Sequence, residues 1–342
     1  ILMEQKENIF TLEDFCFQQN DGNLSTCTLV GFSDAGVAKA KQHDDDVHLF
    51  IPEYDNRGLT VTAIGEYAFA STKSPAISSI CSWGNVIVIE KFAFARQVMD
   101  QIPSDWGSIQ EIGDNAFIAC DFADLPDKWG SVEVIGEGAF AGCKFVGLPD
   151  NFSGIVRIGK AAFFSCKGIA RIPESVFDVP YLGKHVFANC SVTRVEDWGD
   201  LKAIPEGFLK DNPLSVLPRD WNKVESIGDC AFLRCHIKRV PNDWGLIRSI
   251  GICALGCTRI KDLPDDWKNV EHIEEGAFEY AHIRDVPQDW GKVDFVGPRA
   301  FSWTMVDPTK FEDTPIFVDK DAFLNAQGSN GRKDTREFFG EF

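Results

Sequence analysis

The chain has 342 residues, of which 44% are hydrophobic and 25% charged, the composition of a folded protein. No run reaches the roughly 18 apolar residues a membrane-spanning helix needs, so no span is expected. A formal net charge of −18 opposes non-specific binding to nucleic acid, so no nucleic-acid partner is expected either.

The chain opens Ile1-Leu2-Met3-Glu4, with neither the charged nor the apolar segment of a signal peptide, and a leading isoleucine points to a trimmed or mature fragment. Residues 1–58 read as an N-terminal cap. Within it, Cys16 and Cys27 are the best disulfide candidates among eleven cysteines. The run Asp44-Asp45-Asp46 could ligate calcium, but it lacks the spaced acids and glycine of such loops, and a solvated loop is the better reading.

From residue 59 to 325 one motif recurs. Segments such as IGEYAF, IEKFAF, IGDNAF and IGEGAF close at Phe69, Phe94, Phe117 and Phe140, and the series continues through Phe163, Phe187, Phe208, Phe232, Leu255, Phe278, Phe301 and Phe323. Spacings fall between 21 and 25 residues. Twelve such marks predict a repeat solenoid, because a unit this short cannot bury its own apolar face and must stack on its neighbours. In the stretch from Cys120 to Phe140, Phe122 and Leu125 precede a proline and fit one short strand, while Val132 and Ile135 fit a second side. Gly136 and its counterparts Gly65, Gly113, Gly159, Gly228, Gly251 and Gly297 suit a turn with positive φ or a close backbone approach. Stacking at about 4.8 Å lays phenylalanine over phenylalanine.

The pattern I-G-x-x-A-F-x-x-C, repeated every 23 or so residues over about 60–325, resembles the BspA-like leucine-rich repeats of bacterial surface proteins. The resemblance implies an α/β repeat solenoid, a right-handed superhelix of about 12 coils with a short parallel strand ladder. Residues 24–64 resemble the family's usual start, a β-hairpin followed by an I-P turn and V-T-x-I-G, and TPIFV at 314–318 resembles its closing strand. The chain departs from the usual L-x-x-I-x-I-P-x-x-V by reading I-x-x-L-P-x-x-W-G-x-V, a shift of about three residues in the expected ladder strand. By resemblance the role is adhesion to host matrix or host-cell receptors, at the cell surface or secreted.

Eight of nine tryptophans share one repeat position: Trp83, Trp106, Trp129, Trp198, Trp221, Trp244, Trp267 and Trp290, with Phe152 in the same slot. Two readings stand. The rings form an exposed ladder for carbohydrate, or they bury their area along the coil edge, and regularity favours burial. Cys120, Cys143, Cys166, Cys190 and Cys235 follow the phenylalanine by three residues, and Cys257 is counted with them as a row of small buried side chains. Cys230 and Cys253 make a second like-positioned pair.

No catalytic residue, metal site or cofactor is expected. The six histidines are scattered, and G-x-S-x-G, G-x-x-x-x-G-K-[ST] and H-E-x-x-H are all absent. Recognition is expected on the concave strand face, taken as the I-x-x-L-P segment. Its two variable positions begin with Asp100 and Gln101, Ala123 and Asp124, and Val146 and Gly147. From the fifth coil they carry Arg171, Arg194, Lys238, Arg239, Lys261 and Arg284. These six are the candidate partner-binding residues, a positive stripe for an acidic protein loop or a sulfated glycan, against the alternative of solvated charges balancing nearby acids. A carbohydrate-binding module using the tryptophan row and an intracellular scaffold are the other functional classes. A monomer is expected, since capped ends oppose end-to-end stacking. Residues 326–342 read as a polar C-terminal tail ending in three phenylalanines.

Overall fold

A computed structural model describes residues 7–43, 46–122, 125–126, 128–242, 244–264, 267–287, 289–311 and 316–326. The tail lies outside the described residues apart from residue 326, as do Asp44, Asp45, Ala123 and Asp124. The chain divides into two compact units, Ile1–Ser191 and Val192–Phe342.

The first unit begins with an antiparallel hairpin, Phe15–Gln19 against Thr26–Phe32. Thr26–Phe32 then pairs in parallel with Thr60–Ile64, so the hairpin covers the edge that the first coil would otherwise leave open. Val88–Ile89, Glu111–Ile112, Val134–Ile135, Arg157–Ile158 and Tyr181–Leu182 continue the parallel ladder. The second unit holds its own six-stranded parallel ladder, Ala203–Ile204, Ser226–Ile227, Ser249–Ile250, His272–Ile273, Phe295–Val296 and Phe317–Val318. Each repeat thus gives one two-residue rung, with the isoleucine inward over its counterpart, as in Ile112 beside Ile135.

This places the continuous ladder on the I-G side rather than on the I-x-x-L-P side. Proline is the reason: Pro218, Pro264 and their equivalents have no N–H to donate and terminate pairing. On that side the described strands are His48–Phe50 with Ser79–Ser82 and Val98–Met99 with Asp121–Phe122, besides isolated bridges such as Arg194 to Val216.

The glycine after the rung is required by proximity, not by φ. A Cβ on Gly159 would lie 2.6 Å from the backbone of Gly136 and Glu137 in the coil before, and on Gly228 2.7 Å from the Ile204 carbonyl. Positive φ falls instead on the third and seventh residues after the rung isoleucine, as at Asn115 (55°) and Ala119 (54°). These two residues turn the corner, and the N–H of Asn115 then bonds Glu137 O while that of Phe117 bonds Ala139 O in the following coil.

The phenylalanines fill the interior. Phe94, Phe117, Phe140 and Phe163 stack at 5.3–5.5 Å with their planes within 4° of parallel. Phe208 departs from the expected register. The N–H of Leu209, not of Phe208, bonds the Ala231 carbonyl, so Leu209 occupies the phenylalanine slot and Phe208 the alanine slot. No residue is missing after Ile204: Leu209 stands five residues on, as Phe117 does after Ile112, with Pro205 in place of the usual glycine.

Candidate binding surface

The motif D-W-G builds a turn and turns its ring inward. Asp105 Oδ1 accepts from Gly107 N at 2.8 Å, and the Trp106 carbonyl accepts from Ile109 N. Asp197 with Gly199 and Asp289 with Gly291 repeat the first bond. This is the side-chain-to-backbone closure that aspartate offers at turns. Gly107 takes a φ of 57°. All eight row tryptophans are buried, none more than 7% exposed, and Phe152 is 1% exposed. Trp221 and Trp267 donate from Nε1 to the carbonyls of Pro218 and Pro264, at 2.9 and 2.7 Å. A ring whose face is covered by the next ring, as Trp83 is by Trp106 at 5.3 Å, cannot stack on a sugar. Burial therefore overturns the carbohydrate reading of this row.

The cysteine row is equally internal. The thiols of Cys120, Cys143, Cys166 and Cys190 donate to the carbonyls of Phe94, Phe117, Phe140 and Phe163 in the preceding coils, at 2.9–3.1 Å. Cys235 does the same to Leu209 O, and Gln97 fills the equivalent slot with Nε2 on Phe69 O at 2.6 Å. The slot thus gives a second donor to a carbonyl that already accepts the backbone N–H three residues on, as Phe117 O does from Cys120 N. Burial pushes Cys120, Cys190 and Cys235 up to about 12, which leaves them as thiols rather than nucleophiles. Cys257 does not belong to the row. It sits one residue early, is exposed, and leaves Thr258 to occupy the slot, with Oγ1 on Leu255 O.

Cys16 and Cys27 are not partners. Cys16 pairs with Gly31 and Cys27 with Gln19, a three-residue offset along the hairpin. Roughly 10 Å of strand separates them, beyond disulfide range. Cys27 is buried and donates to Leu59 O, while Cys16 is exposed.

No group of three or more histidine, cysteine or acidic residues able to hold a metal occurs among the described residues. His48 bonds Ser79 Oγ and approaches Asp46. His272 lies near Glu274 and Asp294 in an open depression beside Phe295, with no nucleophile among its lining residues.

The six sequence-named cations are all exposed, yet they are not one set. Arg171 belongs to the first unit and pairs with Asp150. Arg194 lies 3.8 Å from Glu196, and the next coil offers only Ser215 and Val216 at the equivalent positions. Lys238, Arg239, Lys261 and Arg284 come together on three successive coils of the second unit. The N–H of Arg259 bonds Ile237 O, and that of Arg284 bonds Lys261 O, which fixes the coils rung to rung. Among the described residues these four cations have no ion pair.

The structure adds Arg259, His236 and His282, which the two-position pattern missed. They stand immediately before the inward isoleucines Ile260, Ile237 and Ile283, and alternation puts the residue before an inward one on the same side as the residue after it. That period-2 signal was present in the sequence. Burial, then Arg259 and Lys238, hold His236 below the usual imidazole range; burial, then Arg259, Lys261 and Arg284, do so for His282.

The BspA type leucine rich repeat region matches in six copies, over residues 56–170, 107–216, 133–242 and 215–329. No curated protein matches the chain by sequence. Among solved structures, the pneumococcal vaccine antigen PcpA is similar at 19% identity and a TM-score of 0.57, covering 93% of this chain and 92% of its own. A leucine-rich repeat protein from Bacteroides ovatus matches at 16% identity with a TM-score of 0.44, covering 91% and 99%. A leucine rich cell surface protein from Faecalibacterium prausnitzii matches at 16% identity with a TM-score of 0.46, covering 96% of each chain. The stacked I-G rungs, the inward phenylalanines and the six matched copies together make this chain a member of the BspA-type leucine-rich-repeat family.

Proposed function

We propose that the protein is a non-enzymatic adhesin of the cell surface or extracellular space, engaging a host protein or matrix component through the exposed positions of its proline-bounded side. One observation carries the reading. The side chains that recur in every coil are buried, while the outward positions between them change from coil to coil on a fixed backbone. Such a surface presents varied side chains without a reactive group, which is how solenoids engage partners. The fold shared with a protein described as a pneumococcal vaccine antigen supports exposure at the surface.

Two measurements test it together: antibody labelling of intact cells, and a solid-phase screen against matrix proteins. Combined charge reversal of Arg194, Lys238 and Arg239 is expected to abolish binding without moving Tm, because all three are exposed. Unchanged binding discards these residues as the contact. An intracellular scaffold is favoured by one feature, the free exposed thiols of Cys16 and Cys257. Labelling of intact cells would rule it out.

A further inference from the structure

Three successive coils carry Lys238, Arg239, Arg259, Lys261 and Arg284, five cations gathered on a chain of net charge −18. Lys238, Lys261 and Arg284 make one column of equivalent positions, and His236, Arg259 and His282 a parallel one. Coils stack at about 4.8 Å, and residues two apart on a strand lie roughly 6 to 7 Å from each other. The result is a small grid of donors held by backbone hydrogen bonds, with no ion pair to Lys238, Arg239, Lys261 or Arg284 among the described residues.

We propose that this grid binds a sulfated polysaccharide, with the guanidinium and ammonium groups taking sulfates on successive sugars. The inference rests on the binding role above and names the ligand class for one part of that surface. Three features select the ligand. The outward positions beside Ile237, Ile260 and Ile283 are all charged or histidine, so a peptide finds there none of the aromatic or apolar anchors that dominate protein interfaces. These positions include no aromatic ring on which a nucleic-acid base would stack, and Tyr280, two residues before His282, already stacks on Trp303 at 5.7 Å. Asp262 and Asp285 stand exposed among the cations. Their carboxylates repel a polymer that carries only anionic groups, but accept hydrogen bonds from sugar hydroxyls. Sulfates and hydroxyls on one chain match both kinds of side chain.

The test is titration of the full chain with heparin, desulfated heparin, polyglutamate and single-stranded DNA at two ionic strengths. Heparin is expected to bind, more weakly at higher salt, and more tightly than the other three. Combined Lys238→Glu, Lys261→Glu and Arg284→Glu is expected to weaken heparin by at least about tenfold with unchanged Tm, as reversal of exposed interface charges does. Lys160→Glu, an exposed reversal in the first unit, is expected to leave affinity unchanged. Failure of the parent chain to bind heparin overturns the proposal, and so does equal binding of any other probe or an unaffected triple variant. If heparin fails while a matrix protein is still captured by labelled cells, this inference falls and the broader role stands. If the protein stays inside cells yet binds heparin through these residues, the reverse holds.

Discussion

At the scale of single residues, the repeat motif divides into side chains that satisfy the backbone and side chains that fill space. The cysteines belong to the first group. Their thiols meet the phenylalanine carbonyl of the preceding coil, and burial keeps them protonated. Native protein treated with a thiol reagent should therefore label Cys16 and Cys257 first. Cys120, Cys143, Cys166, Cys190 and Cys235 should stay unmodified until unfolding, as read by mass spectrometry of the labelled peptides. Early labelling of any of the five would contradict their place in the core. Spacing made five of these positions readable in the sequence. Cys257 is the exception: it follows Leu255 by two residues rather than three, and the buried residue at the third position is Thr258.

At the scale of elements, the coils are held by close backbone crossings, and the first of them is covered by the N-terminal hairpin. Gly159→Ala should cost on the order of 1–3 kcal/mol, since its methyl group would press on backbone that cannot move aside. Gly147→Ala, with nothing within 4 Å and no positive φ, should be near neutral. Chemical denaturation of the two variants measures the difference. In the cap, Asp55 is 3% exposed and accepts from the N–H groups of Leu59 and Arg57 and from Arg57 Nε, each at 2.8 Å. Burial alone would raise its carboxyl, but these bonds and the guanidinium more than offset it and hold it below the ordinary range. A depressed folded-state pKa stabilises above the unfolded value near ~3.9 and loses that contribution as pH falls through the folded one. Asp55→Asn should thus lower Tm at neutral pH and flatten the acid limb of the Tm profile below about pH 4. The ladder strand was misplaced at this scale because both sides of the coil carry apolar pairs three apart. The loss of N–H at proline, visible in the sequence, should have decided between them.

At the scale of the whole molecule, each unit is a stack in which like residues cover like, and the periodicity alone disclosed it. What periodicity does not disclose is which face of a large aromatic row meets solvent, since a buried ladder and an exposed one have the same spacing. The basic grid was only half legible for a related reason: two outward columns flank each inward isoleucine, and the I-x-x-L-P pattern draws attention to the variable positions after it alone. The account depends most on the tryptophan row lying inside the stack, with recognition left to the charged positions outside. Acrylamide quenching of intrinsic fluorescence tests this most directly. Only Trp303, which stacks half-buried on Tyr280 at 5.7 Å, should be readily quenched, and the other eight should remain protected with or without added polysaccharide. Quenching of most of the emission in the native state, or protection of the row by a neutral sugar, would contradict it.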